Sequence, residues 1–180
     1  MELEAGIYHV YARGNERRAI FADDRDRRDY LMRLASTAKR HRWHLMAYCL
    51  MPNHVHLLVE TVEPNLGRGM HWLQGGYAQR FNARHGRVGH LFQGRYGAVE
   101  VTTDAQLWVA ASYIVVNPVA AGLCARPEEW RWSSHAAALG GDAPRWLDVP
   151  RLMEFFSVLG GEPAKRYADY VEAQAGERVA

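Results

Sequence analysis

The strongest constraint on what this chain folds into lies between residues 43 and 60. Trp43, Leu45, Met46, Ala47, Tyr48, Cys49, Leu50 and Met51 form an almost unbroken apolar run, interrupted only by His44. Pro52-Asn53 follows, then His54-Val55-His56-Leu57-Leu58-Val59-Glu60. A short apolar run bounded by turn residues predicts a buried strand, and the tight connection predicts an antiparallel partner. An apolar run without alternation is expected at the centre of a sheet.

The remaining elements group around this hairpin. Residues 7–13 alternate Ile7, His9 and Tyr11 against Tyr8, Val10 and Ala12, which predicts a strand ended by Gly14-Asn15. Residues 24–41 read as a helix, with Tyr30, Leu31, Leu34, Ala35 and Ala38 on one stripe. Residues 66–84 read as a second helix, with Leu66, Met70, Leu73, Tyr77 and Phe81 toward the core. Residues 85–94 are glycine-rich and basic, hence a loop, and residues 96–101 form a fourth strand. Thr103 caps a third helix over 104–117, which Pro118 is expected to end. The order β-α-β-β-α-β plus a helix predicts an α+β fold of the ferredoxin-like, split βαβ kind, with an antiparallel sheet and helices on one face. The histidine pair then lies on a central strand and Tyr113 on the helix after the fourth strand. Residues 1–125 are expected to form this domain, and residues 126–180 a helical extension packed on it.

The 180 residues suffice for one domain with a real core. No apolar run approaches the roughly 20 residues that span a bilayer, and residues 1–6 lack an apolar signal segment, so a cytoplasmic protein is expected. Two cysteines, Cys49 and Cys124, cannot make a zinc cluster or a disulfide framework, and are read as reduced, buried thiols. The net charge of +2 is unevenly placed: residues 1–100 carry 15 Arg/Lys against 10 Asp/Glu, residues 101–180 carry 7 against 10. The basic part is nearly all arginine, whose fork of donors suits phosphate.

Two features carry chemistry. Residues two apart on a strand project from the same face. His54 and His56 therefore point together, either as a pair of hydrogen-bonded strand histidines or as two ligands for one divalent cation. On the third helix Tyr113 and Asn117 share a face with Gln106, Val109 and Ala110, while Leu107, Ala111 and Ile114 turn inward. Tyr113 is thus a core-edge tyrosine or a residue facing a groove. Together the two features fit a tyrosine nucleophile beside a metal that polarises a phosphate, because a phenol of pKa about 10 attacks poorly unaided.

Several spaced blocks make the chain resemble the HUH single-tyrosine transposases of the IS200-like family, and within them the REP-associated tyrosine transposases. The blocks are Tyr8-His9-Val10 with Arg13-Gly14-Asn15 and Ile20-Phe21; Tyr48 to Leu58 with Pro52-Asn53-His54-Val55-His56 at its centre; Gly89-His90-Leu91-Phe92-Gln93-Gly94-Arg95-Tyr96; Tyr113 to Leu123; and Trp132-Ser133-Ser134. The resemblance implies that His54 and His56 are metal ligands, Tyr113 the nucleophile and Asn117 a third ligand through its amide oxygen. It also implies magnesium or manganese, a 5′-phosphotyrosine link with release of a 3′-hydroxyl, and single-stranded DNA folded into imperfect palindromic hairpins of the REP kind. A monomer is expected, a dimer being the other arrangement in related transposases.

Arg13 with Asn15, Arg87 within the glycine-rich loop and Arg95 just after it are the expected DNA contacts, although Gly14-Asn15 also reads as a plain turn. His90 is not expected to be a ligand, and Trp130 and Trp132 are expected to pack rather than stack bases. The alternative to a transposase is a domesticated hairpin-DNA binder that does not cut. An RNA-binding module would want an aromatic third strand, which is absent. A zinc hydrolase would want a carboxylate, for which Glu60 is the candidate.

Overall fold

A computed structural model describes residues 3–157 and 160–179. Met1, Glu2, Val158, Leu159 and Ala180, which fall within the expected domain limits, lie outside the described residues. Four strands, β1 (Gly6–Arg13), β2 (Trp43–Leu50), β3 (His54–Thr61) and β4 (Gly97–Val101), form one antiparallel sheet in the order β2-β3-β1-β4. With helices α1 (Asp24–His41) and α2 (Leu66–His85) crossing between strands, this is the expected split βαβ core. Asp23 caps α1, its carboxylate accepting from the Arg25 and Asp26 amides at 2.9 and 3.1 Å. The left-handed Gly86 at φ +61° ends α2. Tyr30 and Leu34 of α1, and Leu73 and Tyr77 of α2, pack against Tyr8, Val10, Val55, Leu57 and Val59.

Helices are not confined to that face. Helices α3 (Asp104–Ala120), α5 (Val149–Ser157) and α6 (Pro163–Val179) cover the other, where Ile114, Val115, Phe156 and Tyr167 bury Met46, Cys49 and Leu58. A one-turn α4 (His135–Ala138) lies between α3 and α5. The expectation of a one-sided sheet fails because the C-terminal third supplies a second apolar layer.

The expectation that the run 43–51 is central is also wrong: β2 is an edge strand. Its residues are apolar on both sides because helices lie on both faces of the sheet. Its open edge is closed by the C-terminal segment instead. The Leu50 amide donates to the Trp132 carbonyl at 2.9 Å, the Ser134 amide to Tyr48 at 3.0 Å, and the Asp148 amide to Leu45 at 2.7 Å. The Ser134 hydroxyl accepts from the Tyr48 amide, and the Trp130 indole N–H donates to the Leu50 carbonyl. Trp130 and Trp132 are packing residues, as expected. An edge so covered cannot template pairing with another chain. Trp132→Ala is expected to cost about 3–5 kcal/mol in a urea denaturation series, the range for emptying a large aromatic site. A cost below about 1 kcal/mol would mean the segment merely rests on the edge.

Pro118 does not end α3, which continues to Ala120. Pro118 lies in the last turn and is buried with Val119, so packing offsets its missing amide. Gly122, at φ +67°, turns the chain, with the Ala121, Gly122 and Leu123 amides returning to Asn117, Val119 and Pro118. Cys49 is buried and Cys124 only half-buried, both as free thiols. No helix among the described residues is long and apolar enough to cross a membrane.

Candidate active site

The pairing of β1 with β3 sets Tyr11 opposite His56, Arg13 opposite His54 and His9 opposite Leu58. Directly paired residues share a face, so His9, Tyr11, Arg13, His54 and His56 all project toward the layer that holds α3. The imidazoles of His54 and His56 stand 5.0 Å apart, edge to face. Tyr113, half-buried on α3, brings its ring to 5.5 Å from His56 and 5.6 Å from His9. Gly97 on β4 faces Tyr11, where a side chain would collide with the phenol ring. The face of α3 carrying Gln106, Val109, Ala110 and Tyr113 walls a cavity of about 480 Å³ completed by His9, Val99 and Val101. Tyr113 therefore faces a groove beside the histidines.

Hydrogen bonds select which ring nitrogens are available. His54 Nδ1 lies 2.7 Å from Asn53 Oδ1, and the Asn53 amide nitrogen donates to the Arg17 carbonyl at 2.9 Å. An amide oxygen only accepts, so His54 carries its proton on Nδ1 and keeps the Nε2 lone pair. His56 Nδ1 lies 2.9 Å from His9 Nε2. The Asn117 side-chain N–H donates to the Tyr113 carbonyl at 2.6 Å, which leaves its Oδ1 to accept or ligate. Burial lowers the pKa of His56 to about 3, with His9, His54 and Arg13 adding to the shift. Burial takes His9 to about 4, and burial followed by Arg13 lowers His54. All three are neutral at pH 7, the form in which imidazole binds a metal.

Two neutral imidazoles and an amide oxygen are a suitable donor set for a divalent cation of the manganese or magnesium class. Among the described residues no group of three or more His, Cys, Asp or Glu is placed to hold a metal. Glu60 shares the strand face but receives Arg151 of α5 through both its oxygens, at 2.7 and 2.9 Å. It is committed to an ion pair and supplies no water-activating carboxylate.

The expected DNA contacts divide. Residues 91–93 dock on the end of β1 through Asn15 N to Leu91 O and Gln93 N to Arg13 O. This brings Arg13 and Arg95, with Tyr11 and Gln93, around one concave site of about 290 Å³. Asn15 is exposed in the turn that follows. Arg87 stacks its guanidinium over Phe81 and lines no part of that concavity. His90 is exposed. Tyr77 is buried on the opposite face, donating to the Ile20 carbonyl at 2.5 Å, and Tyr96 packs on that same side. Sequence reasoning missed His9 and Tyr11 as site residues. Their alternation was visible, but not which face of β1 meets the histidines of β3.

Comparison with known proteins places this geometry in context. The family model described as Transposase IS200 like matches residues 3–117. Among solved structures, a REP-associated tyrosine transposase bound to a REP hairpin aligns at 14% identity with TM-score 0.65, over 81% of this chain and 86% of that one. A candidate transposase from Deinococcus radiodurans R1 aligns at 20% identity with TM-score 0.46, over 59% of this chain and 87% of that one. No curated protein matches. The family match takes in all four strands and α3 as far as Asn117, and the chain therefore belongs to the IS200-like transposase family.

Proposed function

We propose that this transposase cuts and rejoins single-stranded DNA beside a hairpin, with Tyr113 as the nucleophile. The observation that carries the reading is the approach of the Tyr113 ring to within 5.5 Å of His56, on the face that also presents His54. The Tyr113 hydroxyl oxygen attacks the scissile phosphorus and gives its proton to solvent water, and the bond from phosphorus to the 3′ oxygen breaks, that oxygen taking up a proton from water. The products are a 5′-phosphotyrosine link and a free 3′-hydroxyl, and attack by a 3′-hydroxyl on the link rejoins the strand. His54, His56 and Asn117 would hold a magnesium or manganese ion, which when bound supplies Lewis-acid stabilisation of charge on the phosphate oxygens. Arg13 and Arg95, on adjoining segments, hold the backbone of the strand entering the site. A hairpin substrate is supported by the fold shared with the hairpin-bound REP-associated transposase. The test is a nicking assay on an end-labelled hairpin with a single-stranded flank, with and without manganese. Binding of that hairpin without any cut strand or adduct would reduce the protein to a hairpin binder.

The arginine pair makes a separate prediction. Arg13→Ala and Arg95→Ala should each weaken hairpin binding and flatten the slope of log affinity against log salt by about 1. Arg87→Ala, over Phe81 and away from the concavity, should leave the slope nearly unchanged. A gel-shift series over salt measures this, together with preference for the hairpin over the same sequence as perfect duplex. Equal slopes in wild type and Arg13→Ala would remove Arg13 from the interface.

A further inference from the structure

We infer that His9 is a positioning residue that fixes the tautomer and ring orientation of His56, so that His56 presents its Nε2 lone pair to the cation. The inference rests on the proposed metal role of His54 and His56. Each of those histidines has its Nδ1 against a partner: His54 against Asn53 Oδ1 at 2.7 Å and His56 against His9 Nε2 at 2.9 Å. For His54 the partner is an acceptor, and the proton must sit on Nδ1. For His56 the partner is another imidazole, and either ring may carry the shared proton. Only one arrangement leaves His56 able to ligate through Nε2: its Nδ1–H donates, His9 Nε2 accepts, and neutral His9 keeps its own proton on Nδ1. In the reverse arrangement His56 is protonated on Nε2 and loses that lone pair.

The fold places His9 for this task. It is opposite Leu58 on β3, which makes it the diagonal neighbour of His56, within reach of a side chain as long as histidine. Its ring is held at 5.1 Å from that of His56, with Tyr11 and Tyr113 beside it at 6.0 and 5.6 Å. Its Nε2 is spent on His56, so His9 is a partner of a ligand and not a third ligand. Such outer partners orient the ring and raise its basicity, and losing one typically lowers metal affinity 10–100-fold.

The experiment uses the full purified chain and manganese ion alone, without DNA. Nitrogen-15 histidine NMR of the metal-free protein should find His54 and His56 both protonated on Nδ1. In His9→Ala, His56 should shift toward the Nε2-protonated tautomer while His54 stays unchanged, and manganese affinity by EPR titration should fall 10–100-fold. His9→Gln, whose amide oxygen reaches the place of Nε2, should restore both the tautomer and most of the affinity. A loss due to general damage would spare neither His54 nor the Gln variant. His56 protonated on Nε2 in the metal-free wild type overturns the inference without any variant. Wild-type manganese affinity in His9→Ala overturns it too, as does coupling of bound manganese to three imidazole nitrogens. His56→Ala serves as the control. If it binds manganese like wild type, the metal-site reading falls and His9 with it; if it binds weakly while His9→Ala does not, His9 alone is wrong.

Discussion

Tyr113→Phe will bind its hairpin as tightly as the wild type, leave the DNA uncut and form no covalent protein–DNA adduct. The rate of nicking should fall by at least about 10⁴-fold, the scale on which removing a covalent nucleophile acts. The substitution removes one oxygen and leaves the ring contacts with His56 and His9 in place, so the fold and the groove survive. The rival tyrosines are separable. Tyr77 is buried with its hydroxyl bonded to Ile20 O, and Tyr96 packs on the far side of the sheet. Tyr11 is the nearest competitor, 43% exposed and 6.3 Å from His56. It projects from the middle of a paired strand with its ring against Gly97, whereas Tyr113 stands on a helix one turn from the amide of Asn117. Tyr11→Phe should therefore keep adduct formation. Denaturing electrophoresis of labelled DNA, followed by peptide mapping, reads the result. An adduct on Tyr11, or one that persists in Tyr113→Phe, would mean that the nucleophile is misassigned.

His56→Ala should abolish manganese binding and cutting together. Of the two strand histidines it is the more enclosed, at 6% exposure, and it contacts His9, His54, Tyr11 and Tyr113. Without His56 the proposed site keeps only His54 and the Asn117 amide, too weak a set to hold a hard cation. Nicking should fall by about 10³-fold or more, in keeping with the several kcal/mol that a Lewis-acid metal contributes to phosphoryl chemistry. Hairpin affinity at fixed salt should change little, since the arginines Arg13 and Arg95 line their own concavity. Asn117→Ala should slow cutting less, because water can take a single oxygen-ligand position. Full nicking by His56→Ala in titrated manganese would remove the histidine pair from the chemistry.

Much of this was written locally in the chain. Strand period two put His54 and His56 on one face, and helical period four put Tyr113 and Asn117 on another, with no tertiary information needed. The cap at Thr103 set the start of α3 where it is observed, because a cap is a short-range hydrogen bond, here from the Gln106 amide to the Thr103 hydroxyl. The core faces of α1 and α2 were legible for the same reason.

What the chain could not show locally was which elements lie beside each other. The apolar run 43–51 records burial on both faces but not what buries it, so an edge strand closed by residues 130–148 read as a central one. Pro118 signals a missing amide, while the packing that carries α3 past it comes from distant residues. His9 belongs to the site because β1 pairs antiparallel with β3 in one register, and a shift of a single residue would have turned His9 and Tyr11 to the opposite face. The sequence by itself determined the types of chemical group and their local phase. The register of β1 on β3 and the seat of α3 against that face, both set by long-range packing, decided that His9, His56 and Tyr113 meet.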